Sequence, residues 1–220
     1  MPIVNDEILC DNAKLRHSGT GNMPKQAEIL NADEFKRLLK IVSTSKHAKR
    51  DTLLILMSYG LGLRAVELAA LKLHQVVSDD GKVREALQLK RTKGDKKRTL
   101  YLSEPRIKKA IIEYIEERKI ISEKKRIVFS HQQALFLSQK YGQFTNKTLA
   151  RRFDIIYRDA GFVGVTSHSG RRTFATNLIE QGVDIKAVST LMGHSNIQMT
   201  AQYVQNNPVR LSNICAKALY

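Results

Sequence analysis

The 220-residue chain has no tryptophan, only two cysteines, and no apolar run long enough to cross a membrane. A spanning helix needs about 20 apolar residues in succession, and the stretch "TLLILM" stops at Ser58, Tyr59 and Gly60. The first residues, "MPIVNDEILCDNAKLRHSG", lack the basic-then-apolar order of a signal peptide. Cys10 and Cys215 stand at opposite ends of the chain, so they form no metal-ligand spacing and read as free thiols in a reducing cytoplasm. Acidic clusters of the kind that hold nuclease metals are missing, as are internal repeats, heptads and low-complexity blocks.

Negative charge is also scarce. Thirty-seven Lys and Arg face 21 Asp and Glu, which gives a net charge of +16. The field of such a chain attracts polyanions. A ribosomal protein, a membrane-surface binder or a generally basic protein would share that balance. The clustering of the cations favours nucleic acid. Hydrophobic residues make up 42% of the chain, enough for one substantial core with a short appendage.

Residues 1–27 are polar and without period, and read as a flexible basic/polar tail. Asn31 followed by Glu34 is a helix start, with Phe35, Leu38, Leu39 and Val42 on one face. "DTLLILMSYG" is apolar nearly all round and predicts a central helix that breaks at Gly60 and Gly62 and restarts near Leu63. "EALQLKR" and "KRTLYL" flank the turn "TKGDK" and predict a β-hairpin. Ser103 is the expected cap of the next helix, with Pro105 in its first turn and Ile107, Ala110, Ile111, Tyr114 and Ile115 in one stripe. "RIVFS" suits a third short strand. Further helices are expected over 148–159, 170–180, 184–192, 196–204 and 209–218, with Gly161, Gly182 and Gly193 at their ends. The fold class is therefore mainly α with a small antiparallel β-sheet.

Several polar residues suit phosphodiester chemistry, which without a metal needs cations on the non-bridging oxygens, a nucleophile and a proton donor for the leaving oxygen. Arg64 opens a helix after "GLGL", and Glu67 one turn on can orient it or can simply form a surface ion pair. "RTKGDKKR" sets cations at the hairpin tip, with Lys93 just before the glycine. "SHSGRRTFAT" carries His168 and Arg171 into a helix, and "MGHSNIQMTAQYV" holds His194 and Tyr203 nine residues apart. Taken singly, each has an ordinary structural reading, such as a packed helix tyrosine with a bonded hydroxyl. Ile197 and Val204 read as core positions of the last helix.

Together and in this order, "GLRAVEL", "TKGDKKRTLYL", "HSGRRTFAT" and "LMGHSNIQMTAQYV" resemble the tyrosine recombinase (phage integrase) family over about residues 28–206. The resemblance implies that family's catalytic-domain fold and a site-specific DNA recombinase acting through a 3′-phosphotyrosine, without metal, cofactor or ATP. It implies that Arg64 and Arg171 grip the scissile phosphate and His194 adds a hydrogen bond to it. Tyr203 is then the nucleophile, Lys93 protonates the 5′-oxygen, His168 assists proton transfer, and Glu67 supports. Lys96, Lys97, Arg98, Arg151, Arg152 and Arg172 are the candidate DNA-binding cations. Two departures stand out: Arg172 where the family often has His, and Gly170 where it usually has an apolar residue. At most 27 residues stand where the family carries a DNA-clasping N-terminal domain. The chain is thus either a single-domain member, similar to the small fimbrial invertases and favoured by the initial Met, or a catalytic fragment. Residues 207–220 read as a tail helix, exchanged between protomers of a tetramer or packed on its own domain. The implied partners are double-stranded recombination sites, a homotetramer on DNA and DNA-bending accessory proteins, in the cytoplasm and on the nucleoid. A DNA-binding regulatory or architectural protein on the same scaffold, without efficient catalysis, is the alternative. A type IB topoisomerase is a third reading, disfavoured by the "LMGHSNIQMTAQY" pattern.

Overall fold

A computed structural model describes residues 27–90 and 97–203. Lys93 and Lys96, the tail and the helix expected over 209–218 lie outside the described residues.

Helix α1 (Ala32–Val42) starts where the sequence places it. The Asn31 side chain accepts from the N–H groups of Asp33 and Glu34 at 3.0 and 2.9 Å, and the Glu34 carboxylate accepts from Asn31 N–H at 2.8 Å. That reciprocal box satisfies donors that a helix start leaves open. Helix α2 (Ala48–Leu61) is buried from Leu53 to Tyr59, as an all-round apolar helix must be, and packs against α1 and two later helices. It stops at Gly62, whose φ of 62° is the left-handed conformation that glycine adopts without strain. Its first turn carries Asp51, fully buried, which accepts from the guanidinium groups of both Arg50 and Arg152. A buried carboxylate persists only with such partners.

Two short helices follow, α3 (Ala65–Ala70) and α4 (Leu73–Val76). Strands β1 (Ala86–Lys90) and β2 (Lys97–Tyr101) pair antiparallel, with Leu87 opposite Leu100 and Leu89 opposite Arg98. Helix α5 (Pro105–Lys125) buries the expected stripe of Ile107, Ala110, Ile111, Tyr114 and Ile115. Its cap is Glu104, one residue after the expected Ser103: the Glu104 carboxylate accepts from Ile107 N–H at 2.9 Å.

"RIVFS" is not a strand. Among the described residues the sheet consists of β1 and β2 alone, and Ile127 N–H instead closes the end of α5 on the Ser122 carbonyl at 2.9 Å. The residues after this stretch join the chain around α4 through an isolated bridge, Lys72 to Ala134, and through the main-chain bonds Leu73 N–H to Gln133, His74 N–H to His131 and Leu135 N–H to Leu71. The buried Arg118 guanidinium donates to the carbonyls of Ala134 at 2.6 Å and Leu135 at 3.0 Å.

Helices α6 (Asn146–Asp159), α7 (Ser169–Glu180) and α8 (Ile185–Met192) match the expected spans within two residues, and Gly193 ends α8 at φ 62°. The last helix is shorter than expected: α9 covers only Gln198–Ala201. Within it the core position is Thr200, fully buried, whereas Ile197 is 46% exposed. The main core spans α1 to α6. A smaller one, Ala175, Ile179, Val188 and Met192 with Phe174 and Tyr203 against it, belongs to α7–α9. Among the described residues no helix is long and apolar enough to cross a membrane.

Where the two cores meet, α7 crosses α2 at Gly170. A Cβ there would lie 2.3 Å from Ser58 Oγ and 2.8 Å from the Tyr59 ring, so only glycine lets the helices approach this closely. Gly170→Ala is expected to destabilise by about 1–3 kcal/mol, the usual cost of overpacking. Adding Ser58→Ala removes the nearest clashing atom and should restore part of the loss, both read as shifts in denaturant midpoint at constant slope.

Candidate active site in a cationic groove

Arg64, His168, Arg171, Arg172, His194 and Tyr203 line one open groove of about 270 Å³. This lies below the ~300–1,000 Å³ of pockets that enclose small organic ligands. Its openness and its cations suit an anionic group presented from a larger molecule.

Arg171 is its floor. It sits in the first turn of α7, only 3% exposed, and donates to the Gly62 carbonyl at 2.6 Å, to the Met192 carbonyl and to His194 Nε2 at 3.0 Å. The left-handed turns at Gly62 and Gly193 end α2 and α8, so the carbonyls that Arg171 takes lie where the chain leaves those helices. Burial, and after it the neighbouring Arg64 and Arg98, push the Arg171 pKa down to about 9, which still leaves a cation at neutral pH.

Arg64 caps α3 and is the more accessible cation, its side chain 32% exposed. Glu67, one turn on, accepts from Arg64 N–H at 2.7 Å and from its guanidinium at 3.4 Å, so the pair that spacing suggested is formed, and the carboxylate is nine-tenths buried. His168 caps α7 and is exposed at the rim.

His194 and Tyr203 come together although the two and a half turns of regular helix that nine residues would make could not align them. Because α9 is a single turn, the chain folds back and the rings stack at 6.2 Å between centroids and 17° between planes. The His194 tautomer follows from its partners. Arginine only donates, so Nε2 accepts from Arg171, which leaves the proton on Nδ1 to donate to Thr200 Oγ1 at 2.8 Å. Thr200 carries no signal in the sequence beyond standing one helical turn before Tyr203.

The candidate DNA-binding cations separate by burial. Lys97 and Arg151 are exposed. Arg172 is half-buried and donates to the Ala27 carbonyl at the groove's edge. Arg152 is held by Asp51. The structure turns Arg98 inward: its side chain is 5% exposed and pairs with Glu67 at 2.8 Å. The alternation of β2 already puts Arg98 on the face of Leu100, a signal that the charge alone obscures. Among the described residues no group of three or more His, Cys, Asp or Glu converges as metal ligands would.

Replacing Thr200 by Val removes the acceptor of His194 Nδ1–H while keeping the side-chain shape. The expected result is a ¹⁵N spectrum in which His194 changes from one tautomer to a mixture, with a stability loss of about 1 kcal/mol. An unchanged His194 spectrum would exclude this tautomer assignment.

Known proteins resemble this chain in sequence and in fold. The chain is 34% identical over 188 residues to the tyrosine recombinase XerA of Thermococcus kodakarensis, covering 80% of this chain and 57% of that one. It is 28% identical to XerD of Oceanobacillus iheyensis, over 96% of this chain and 69% of the relative. The chain thus spans less than two thirds of the archaeal recombinase it matches. A crystal structure of XerA recombinase superposes with a TM-score of 0.69 at 26% identity, covering 89% of this chain and 66% of that one. The catalytic domain of bacteriophage HP1 integrase shares the fold at a TM-score of 0.58 and 21% identity, over 88% of this chain and 96% of the domain. The family model described as phage integrase family matches residues 28–210, and with the helical fold and its groove on the same span, the chain belongs to the phage integrase family.

Proposed function

We propose that this chain is the catalytic part of a tyrosine-type site-specific DNA recombinase, and that Tyr203 is its nucleophile. The observation that carries the reading is the convergence of Arg64, Arg171, His194 and Tyr203, from four separate segments, on one groove. Its partner is double-stranded DNA, in the cytoplasm and on the nucleoid, and recombination requires four protomers, with DNA-bending proteins as accessories.

The lining of the groove supports the following chemistry. The scissile phosphate enters with its non-bridging oxygens toward Arg64 and Arg171. Tyr203 Oη attacks phosphorus, the bond to the 5′-oxygen breaks, and a 3′-phosphotyrosine and a 5′-hydroxyl result. Lys93 supplies the proton to the leaving oxygen and His168 receives that of Tyr203. A phenol with a pKa near ~10 is a weak nucleophile unless its proton is taken up locally. The transition state gathers negative charge, and donors fixed in advance stabilise it more than the ground state. Arg171, anchored by two carbonyls, needs no reorganisation for this. For His194 to donate to the phosphate its Nε2 must carry a proton. The Thr200 hydroxyl permits that exchange, because it can donate to Nδ1 as readily as accept from it. The phosphotyrosine conserves the phosphodiester energy, so rejoining needs neither ATP nor metal.

The test is covalent capture from a randomised pool of singly nicked duplexes, followed by denaturation. Wild type is expected to retain specific duplexes as a denaturation-resistant adduct, and Tyr203→Phe none. Arg64→Ala should lower the capture rate by about 10²–10³-fold, the usual cost of one transition-state donor. Retention by the Phe variant, or none by wild type, would sink the reading. Binding to non-specific duplex gives a second check. Lys97→Ala and Arg151→Ala should each reduce the slope of log affinity against log salt by about one. Arg152→Met should leave the slope and lower the denaturation midpoint instead, because Asp51 loses a partner.

A further inference from the structure

Arg98 belongs neither to the groove's lining nor to the exposed cations, yet it is buried within reach of both Arg64's partner and the end of α8. Its Nη2 donates to Glu67 Oε2 at 2.8 Å, and the same oxygen accepts from Arg64 N–H at 2.7 Å. Its Nη1 donates to the Leu191 carbonyl. The next carbonyl, that of Met192, accepts from Arg171, whose other arm takes Gly62 at 2.6 Å, two residues before Arg64. These bonds close a circuit: Arg64, Glu67, Arg98, the last turn of α8, Arg171, Gly62 and back to Arg64.

We propose that Arg98 is a positioning residue, which fixes the end of α8 against Glu67 so that Arg64, Arg171 and His194 face an incoming phosphate as one preformed set. Without it the circuit is open, and of these bonds those of Arg171 remain to tie α8 to the Arg64 side. The planar guanidinium is what the position demands, since it places two donors in a fixed fork toward a carboxylate and a carbonyl on different elements, whereas an ammonium is a single compact charge. The fit is close. A Cβ on Gly193 would stand 2.7 Å from Arg98 Cδ, so the arginine stem runs directly beneath the residue preceding His194. The same contact brings α8 against β2, the strand that leaves the hairpin tip where Lys93 stands in the sequence.

The inference builds on the proposed function, and its test separates the two. Arg98→Lys and Arg98→Met are compared with wild type in the whole chain. In DNA-free protein both should lose the single-tautomer ¹⁵N signature of His194 while the signals of His47, at the start of α2, stay in place. On the duplex that wild type captures, the adduct-forming rate at saturating protein should fall about 10²-fold, the effect of misplacing a reacting set by about 1 Å. Affinity and salt slope should stay near those of wild type. A salt slope reduced by about one with an unaltered saturating rate would make Arg98 a phosphate contact and overturn the proposal. An unchanged His194 signature in both variants would overturn it too, whether or not wild type forms an adduct. Absence of adduct from wild type alone counts against the proposed function and leaves the spectroscopic arm to decide. Should Arg98→Met fail to fold, Arg98→Lys decides by the same readings.

Discussion

The groove rests on a buried guanidinium whose hydrogen bonds are directed at main-chain carbonyls. Arg171 takes the last carbonyl of α8 and the carbonyl of the residue that ends α2, and it holds the ring that stacks on Tyr203. Helix ends leave carbonyls without partners. A cation placed between two of them satisfies both, and they in turn fix its orientation. Other features serve this placement. Gly62 must turn left-handed to end α2 there, and the Cβ it lacks would meet the Phe174 ring at 2.6 Å. Gly170 lets α7 come near enough to α2 for its first turn to reach Gly62.

Crowding of like charge is the difficulty this arrangement has to meet. Arg64, Arg98 and Arg171 lie around one carboxylate, Glu67. Both Glu67 oxygens are occupied, yet one negative charge cannot balance three positive ones, and the depressed pKa of Arg171 reflects that excess together with burial. An anion entering the groove would relieve it. The site therefore favours an anion before any shape is read, and preorganisation of this kind is what electrostatic catalysis requires.

The net charge of the chain conceals two populations. Arg50, Arg98, Arg118 and Arg171 are buried and committed to carboxylates or carbonyls, and Arg152 leans on Asp51. They hold helix ends and loops in place. Lys97 and Arg151 are exposed and contribute to the external field. Composition alone adds the two together.

Much of the fold was legible in the sequence because its signals are local. The Asn31 box, the α5 stripe, the hairpin alternation and the glycine stops each depend on neighbours within a few residues, so periodicity and capping chemistry suffice. "RIVFS" failed as a strand because strands need a partner, and pairing is settled by distant segments. Ile197 failed as a core position because α9 is a single turn in which Thr200 takes the buried place. The order of Arg64, Arg171, His194 and Tyr203 could be read from the chain, since a set of residue types in sequence is a one-dimensional pattern. Their convergence could not. It depends on carbonyls at Gly62 and Met192, which have no side-chain identity, and on Thr200 and Arg98, whose residue types are ordinary until burial gives them fixed partners. The sequence determined which groups are available and which local elements carry them. Tertiary packing decided which cations face the groove and which hold it together, because burial and hydrogen-bond direction arise only when distant segments meet.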